Sequence, residues 1–327
     1  ELTSYVGDVL SYYIDYQYKE NILSTATERR NVIRLAEFLG YKVNPFTSAL
    51  VKLEITHDVG VVDNGDPDLS NLPLIDKGLQ VQSNVDSNIV FETLTEVDFS
   101  SSGSSDVPEI GSPTSFDENG LATGYTLTRF VKAIAGETKS KTFNITSPTK
   151  FLELDLDVSN VSEVIDCTDA SGQKWYEVSY LGQDRILKET HYSDDNNRTD
   201  GYDQGSISDD VSPDVSVPYV LEYIKTNKKF TTKIDPDDNT TRLLTSKSSV
   251  INASINNLVS NNSLNLGEIP NNTIMTIKYR EGGGSDTNVQ AGELTTILNS
   301  SENISVNNPE PASGGTDGQT VQEIKEN

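Results

Sequence analysis

Basic charge is what this sequence most lacks. Against 50 Asp and Glu stand only 25 Lys and Arg, a formal net charge of -25 over 327 residues. A surface this acidic repels phosphate, which argues against nucleic acid as a direct partner and against an anionic membrane. The charge keeps the chain soluble or steers a basic partner subunit toward it. Cysteine is almost as scarce, with a single residue, Cys167. No intrachain disulfide can form, and no zinc cluster can be built around one thiol. Cys167 closes the run Val164-Ile-Asp-Cys-Thr168 at a strand end, where it reads as a small buried residue rather than a reactive group. No apolar run reaches the roughly 18 residues of a membrane-spanning helix. The N-terminus has no charged region, apolar core and cleavage site in succession, so no signal peptide is visible and synthesis in the cytoplasm is expected. The chain opens on Glu1 rather than Met, as a segment of a longer gene product would.

Residues for chemistry are equally sparse. The two histidines, His57 and His191, lie far apart beside polar loop patterns, and no Gly-x-Ser-x-Gly elbow accompanies the many serines. Carboxylates abound, but a glycosidase dyad needs one of them in an apolar pocket. Most here alternate with strand apolars or crowd into loops, as on a solvated face. Glu177, beside Trp175, is the one candidate for a buried acid. The runs 194–197 and 235–239 could offer oxygen ligands to calcium, yet neither has EF-hand spacing, and both read as turns. Gly282-Gly-Gly284 lacks the Lys-Ser/Thr of a phosphate loop. Sequons at Asn144, Asn160, Asn252 and Asn303 are those expected by chance in a chain this rich in Asn, Ser and Thr. The expectation is a protein without cofactor or metal, and not an enzyme.

What is present is patterned structure. Residues 2 to 23 read as a helix with Leu2, Tyr5, Val6, Val9, Tyr13 and Tyr16 at helical spacing and Leu10, Ile14 and Tyr18 on a second face. A helix apolar on more than one face must be buried on more than one side, which implies a bundle of several helices, some from other chains. A second helix is expected from residues 24–28, with Thr25 and Glu28 as a capping box, an apolar stripe of Val32, Ile33, Leu35, Ala36 and Leu39, and a stop at Gly40. From residue 49 the period becomes two: Val51, Leu53 and Ile55 alternate with Lys52 and Glu54. Further strands are expected at 79–81, 89–94 and 97–99. Leu152, Leu154, Leu156 and Val158 give the cleanest alternation, followed by 175–181, 217–224, 230–234, 243–244 and 274–279. The stretches 63–68, 100–120 and 193–216 read as loops, and 250–273 carries only weak apolar signals at Ile255, Leu258, Leu264 and Leu266. No repeat of 20–50 residues is evident.

Two glycine clusters close the chain. Glu281-Gly-Gly-Gly-Ser-Asp-Thr-Asn-Val-Gln-Ala-Gly-Glu-Leu294 precedes Val306-Asn-Asn-Pro-Glu-Pro-Ala-Ser-Gly-Gly-Thr-Asp317. Such clusters mark backbone that needs φ > 0 or close approach to another segment. In this wording and order they resemble the baseplate wedge proteins of contractile-tailed phages, the baseplate J-like family. Tyr5-Val-Gly-Asp-Val-Leu-Ser-Tyr-Tyr-Ile-Asp15, the run 20–33 and Leu39-Gly-Tyr41 look like that family's N-terminal helical segment. Ile75-Asp-Lys-Gly78 with Phe91-Glu-Thr93, and Trp175-Tyr-Glu-Val178 with Leu181-Gly-Gln-Asp184, fit in the same order. About 185–273 carries little that is diagnostic.

The resemblance implies a virion structural protein, a late product made in the host cytoplasm that serves phage assembly and genome ejection. It would act in the tail baseplate as a homodimer or copy pair, bound to another baseplate wedge protein and to a sheath-initiator-like protein. Its N-terminal helices would form an intersubunit bundle through Leu2, Tyr5, Val9, Tyr12, Tyr13 and Tyr16, aromatics being favoured interface anchors. The same residues could instead pack within the chain against 32–39. The expected fold is α+β, mainly β: a helical segment at 1–41, a first β domain at 42–150, a second at 151–249 with a long acidic loop, and a return β segment at 250–327. The family's C-terminal domain would lie beyond Asn327. Two other classes stay open: a carbohydrate-binding or adhesive β protein, which needs exposed loop aromatics, and a hydrolase using paired carboxylates.

Overall fold

The computed structural model describes residues 2–43, 46–63, 65–70, 72–100, 113–183, 185–191, 219–237, 240–245, 267–300 and 302–327. The fold is α+β and mainly β. In chain order the elements are α1 (Leu2–Glu20), α2 (Arg29–Phe38), β1 (Leu50–Val59), β2 (Leu74–Ile75), β3 (Gln80–Ser83), β4 (Val90–Thr93), β5 (Val97–Asp98), β6 (Ser115–Phe116), β7 (Ala122–Ala135) and β8 (Glu137–Ile145). There follow β9 (Glu153–Asp155), β10 (Val161–Thr168), β11 (Tyr176–Glu177), β12 (Ile186–His191), β13 (Tyr219–Ile224), β14 (Lys229–Ile234), β15 (Thr241–Thr245), β16 (Thr273–Glu281), a 3-10 turn (Ser285–Thr287), β17 (Leu294–Ile297), β18 (Ile304–Asn307) and α3 (Val321–Glu326). The loops expected at 100–120 and 193–216, and the weak apolar signals from Ile255 to Leu266, fall largely or wholly outside the described residues.

The first sheet runs β17-β3-β4-β7-β1-β18, with every neighbour antiparallel and β6 attached to β7. The alternation read in β1 is real: Val51, Leu53 and Ile55 face the core while Lys52 and Glu54 face outward. The two ends of the sheet come back to each other through Asn308, which is fully buried. Its carbonyl accepts from Gly292 N–H at 2.9 Å, its side-chain oxygen from Leu294 N–H at 2.9 Å, and its amide donates to Gln290 O and Glu310 O at 2.8 and 3.0 Å. One side-chain amide thus supplies the bonds that a missing strand pairing would leave unmade. The core inside this sheet draws on residues 49–135 and, from the far end of the chain, Val289, Leu294, Val306 and Ala312.

The periodicity did not anticipate β7 and β8. β7 has 14 residues, but Leu127, Thr128 and Arg129 are buried in succession, which breaks the alternation. Arg129 is tolerated there because its guanidinium donates to Phe99 O at 2.7 Å and lies over the Phe99 ring. β8 is mostly Thr, Lys and Ser. Its strand character comes from nine-residue pairing with β16 rather than from any apolar period.

Residues 137–281 build a second unit. Sheet β10-β16-β8 packs against β11-β14-β15-β9 over a core of Leu154, Leu156, Trp175, Phe230, Leu243, Met275 and Ile277. The 152–158 alternation holds in burial but not in length. Phe151 and Asp157 adopt φ of 53° and 58°, and the ladder is confined to Glu153–Asp155. The strand expected at 175–181 is only β11, parallel to β14, and a turn follows it. β12 and β13 form a separate two-stranded ribbon.

The chain passes between units at single residues. β7 leads through Gly136 into β8, and β16 leads through Gly282 into the first glycine cluster. Both glycines have positive φ, 108° and 116°, and a side-chain carbon on Gly282 would meet Gly136 Cα at 2.8 Å. The close approach expected of the glycine clusters is therefore present. The second cluster meets the first: a Cβ on Gly315 would lie 2.4 Å from Gly284 O, and Asp317 accepts from Ser285 N–H and Oγ–H at 2.9 and 2.8 Å. Beside the crossing, Arg280 pairs with Glu92 at 3.0 Å, both buried, and with Glu163 at 2.9 Å. Burial alone would raise the Glu92 carboxyl, but bonds from Thr138 and Gln80 and the Arg280 charge hold it below its ordinary value.

α2 begins later than expected. Glu28 is its N-cap and makes no side-chain cap bond. Thr25 turns away to donate to Lys19 O at 2.7 Å, so the capping box read at Thr25 and Glu28 is corrected. A capping box does occur at Thr320 and Glu323, opening α3. The stop at Gly40 is as expected: φ is 89°, Gly40 N–H donates to Glu37 O and Tyr41 N–H to Ala36 O, which is a Schellman closure. Val32, Ile33 and Ala36 of α2 pack on Ala26, Val43 and Ile324, so the two ends of the described chain share one small core.

Candidate assembly interface

Ten of the nineteen residues of α1 are aliphatic or tyrosine. Ser4, Asp8, Ser11, Asp15 and Lys19 recur at spacings of three and four and so share one narrow polar stripe. The apolar side chains occupy the rest of the circumference. They bury almost nothing within the chain. Tyr5 is 67% exposed, Tyr12 66%, Tyr13 59% and Ile14 68%, and no residue of α1 enters any of the three buried clusters. Val9 and Tyr16 are half-buried, and the Leu2 side chain is outside the described residues. Tyr12 stacks on Tyr16 with ring centroids 6.4 Å apart and meets Tyr13 edge-on at 5.9 Å, which preorganises an aromatic surface. Within the described chain the core partner of α2 is α3 rather than these tyrosines.

The base of α1 is fixed even though its length is bare. Glu20, 6% exposed, accepts from Thr27 N–H at 2.8 Å, Thr27 Oγ–H at 2.6 Å, Glu28 N–H at 3.2 Å and Asn31 Nδ2–H at 2.9 Å. These bonds from Asn31 and Thr27 hold its carboxyl at about 2. Glu20 therefore serves as the missing N-terminal cap of α2 from outside the helix. Tyr16 adds a bond to Glu28 at 3.0 Å. Sequence reasoning missed this joint, because the capping residue lies eight positions before the helix end it satisfies.

The groups weighed for chemistry take structural roles. Cys167 is buried and its thiol is pushed up to about 12 by burial. His57 sits in β1 rather than in a loop, bonded to Asn303 O at 2.8 Å and set against the Phe99 ring. The His191 side chain is outside the described residues. Glu177 is exposed and bonded to Thr232, so it is not the buried acid that a dyad requires. The acid beside Trp175 is Asp169. Burial would raise it, but Lys228, the Gln173 and Ser171 amides and the Trp175 indole together hold it below its ordinary value, which keeps it a charged acceptor. Asp235 forms a turn, its carboxylate accepting from Asp237 N–H and pairing with Arg242 at 2.5 Å. Among the described residues no group of three His, Cys, Asp or Glu is arranged to hold a metal, and no helix is long and apolar enough to cross a membrane.

The family described as bacteriophage baseplate protein, N-terminal domain, matches residues 1–38, which is the α1–α2 segment. No curated protein matches the chain. The match supports a phage baseplate protein and a structural role at the virion tail.

Proposed function

We propose that this chain is a non-catalytic wedge subunit of a contractile-tail baseplate. It works as a pair of copies bound to a different wedge protein, with α1 contributing to a helical bundle between subunits. Tyr5, Val9, Tyr12, Tyr13 and Tyr16, with Leu2, form the contact surface. Each β unit is a rigid body, and rearrangement at the interfaces relays baseplate motion toward a sheath-initiator-like neighbour and the sheath. The observation that carries this reading is the exposure of α1: a helix apolar over most of its circumference, held firmly at its base, and left largely uncovered by the described residues of its own chain.

For the adhesive alternative, which needs aromatics displayed on loops, Trp175 is 2% exposed and offers nothing, while Tyr180 on the bend after β11 is 64% exposed. The test is gentle purification of the complex that carries this chain, followed by native mass spectrometry. Two copies joined to a different tail protein, released when Tyr12 and Tyr13 are both changed to Ser, is the expected result. A lone monomer that binds glycans would overturn the proposal.

A further inference from the structure

The second β unit is attached to the first in an unusual way. Residues 137–281 leave the first sheet at Gly136 and return at Gly282, and the two glycines touch. Glu137 and Glu281 are paired neighbours in the β8–β16 ladder, so both covalent links sit at one edge of the unit. Its apolar core shares no residue with the core of the first sheet.

What holds the two units together differs sharply between the crossing and the α2 segment. At the crossing the bonds are enclosed. Arg280 meets Glu92 with both side chains 6–7% exposed, Thr138 N–H and Oγ–H donate to Glu92 at 2.8 and 2.5 Å, and Ser48 Oγ–H donates to Gly282 O at 3.3 Å. Between the α2 segment and the second unit, by contrast, the contacts include two solvent-exposed ion pairs, Arg34–Asp237 at 2.7 Å and Lys42–Glu177 at 3.5 Å, with side chains 38–56% exposed. Exposed pairs of this kind contribute little and are screened by salt. Beside these pairs lies a groove of about 340 Å³ between the α2 segment and the second unit, lined mostly by polar side chains, among them Glu37, Lys42, Glu163, Glu177, Thr232 and Lys233. The apolar residues along it, Ile33 and Val43 on one side and Val161 on the other, are buried in the separate cores of their own units.

We infer that residues 137–281 form an inserted unit that rocks about a pivot at Gly136 and Gly282, opening and closing the groove beneath α2. The enclosed Glu92–Arg280–Thr138 cluster keeps the pivot registered. The exposed Arg34 and Lys42 pairs act as a weak latch between α2 and the unit. Polar, incompletely packed contacts between units of one chain are the ordinary setting for such motion. The inference concerns the chain itself and stands whether or not the baseplate reading does.

The test uses the full chain with spin labels at Arg30→Cys on α2 and Ser171→Cys in the 169–172 turn, Cys167 being too buried to label. Distances are measured by pulsed electron resonance from about 0.01 M to about 1 M salt, over which the screening length falls from roughly 30 Å to 3 Å. A second, longer distance should grow with salt, and should already be populated at low salt in an Arg34→Ala, Lys42→Ala variant. A control pair within the unit, Ser140→Cys with Ser171→Cys, should keep one narrow distance throughout. A single α2-to-insert distance that ignores both salt and the latch variant would overturn the hinge. So would spreading of the control pair, which would mean that the unit loosens rather than rocks.

Discussion

The N-terminal helix and the first sheet are both rich in apolar side chains, and they dispose of them in opposite ways. In the sheet, alternation sends Val51, Leu53 and Ile55 inward to meet Phe91, Leu127 and Leu294, and turns Lys52 and Glu54 toward solvent. In α1 the apolar residues run around most of the helix, and among the described residues little comes to cover them. The sheet's core closes within the described chain, whereas the helix has no such core. Burial of a full Leu or Phe side chain is worth about 1.5–3 kcal/mol, so the sheet's apolar residues stabilise this fold. The same residue types on α1 have that free energy still to gain, from association.

The sharpest way to break this comparison is a pair of truncations. Phe91→Ala, at a fully buried ring, should destabilise the chain by about 3–5 kcal/mol, read as a fall in the denaturant midpoint. Tyr12→Ala should leave the same midpoint within about 0.5 kcal/mol and instead weaken assembly, read by native mass. Equal losses of stability would mean that α1 is part of the fold after all. A second change tests whether the crossing between units depends on its buried charge. Glu92→Ala removes the buried partner of Arg280, leaving its pair with the more exposed Glu163, and should cost about 3 kcal/mol, whereas joint replacement of Glu92 and Arg280 by Met should restore part of that loss in the same melt.

Gly315→Ala forces a carbon to within 2.4 Å of Gly284 O and 2.6 Å of Thr287 Oγ1. Overpacking of this kind costs about 1–3 kcal/mol, and thermal unfolding would show whether the two glycine clusters must touch. The smallest effect is local and depends on pH. The folded value of Glu20, about 2, lies below its ordinary 4.5. Its contribution is therefore complete above the ordinary value and lost as pH falls from there toward the folded one. Amide exchange at Thr27 and Glu28 should accelerate over that window, and Glu20→Gln should remove the pH dependence. Exchange that stays flat with pH in the native chain would mean that the joint between the helices rests on something else.

Legibility in the sequence followed how local the cause was. β1, the Gly40 stop and the strand at 273–281 rest on neighbours a few residues apart, and simple periodicity finds them. The exposed helix was legible for the same reason, since a helix with apolar residues on every side announces that its own chain cannot cover it. β7 hid behind Arg129, whose burial is permitted only by carbonyls contributed from Asp98 and Phe99. β8 carries almost no apolar signal and owes its form to β16, far along the chain. The capping box was assigned to Thr25 because the motif fits there, but Glu20 already occupied the helix end, while the true box at Thr320 opens a helix of one and a half turns that periodicity is too short to reveal.

The contact between Gly136 and Gly282 has a consequence for how such a chain can be remodelled. Because residues 137–281 depart and rejoin at one spot, the path of the surrounding sheet does not depend on what lies between, provided that buried Glu92 keeps partners in place of Thr138 and Arg280. A shorter bridge, a reporter domain or a different binding module could be spliced in at these two glycines without rerouting any host strand. The same junction offers natural variation a doorway through which whole modules can enter or leave while the framework around them stays as it is.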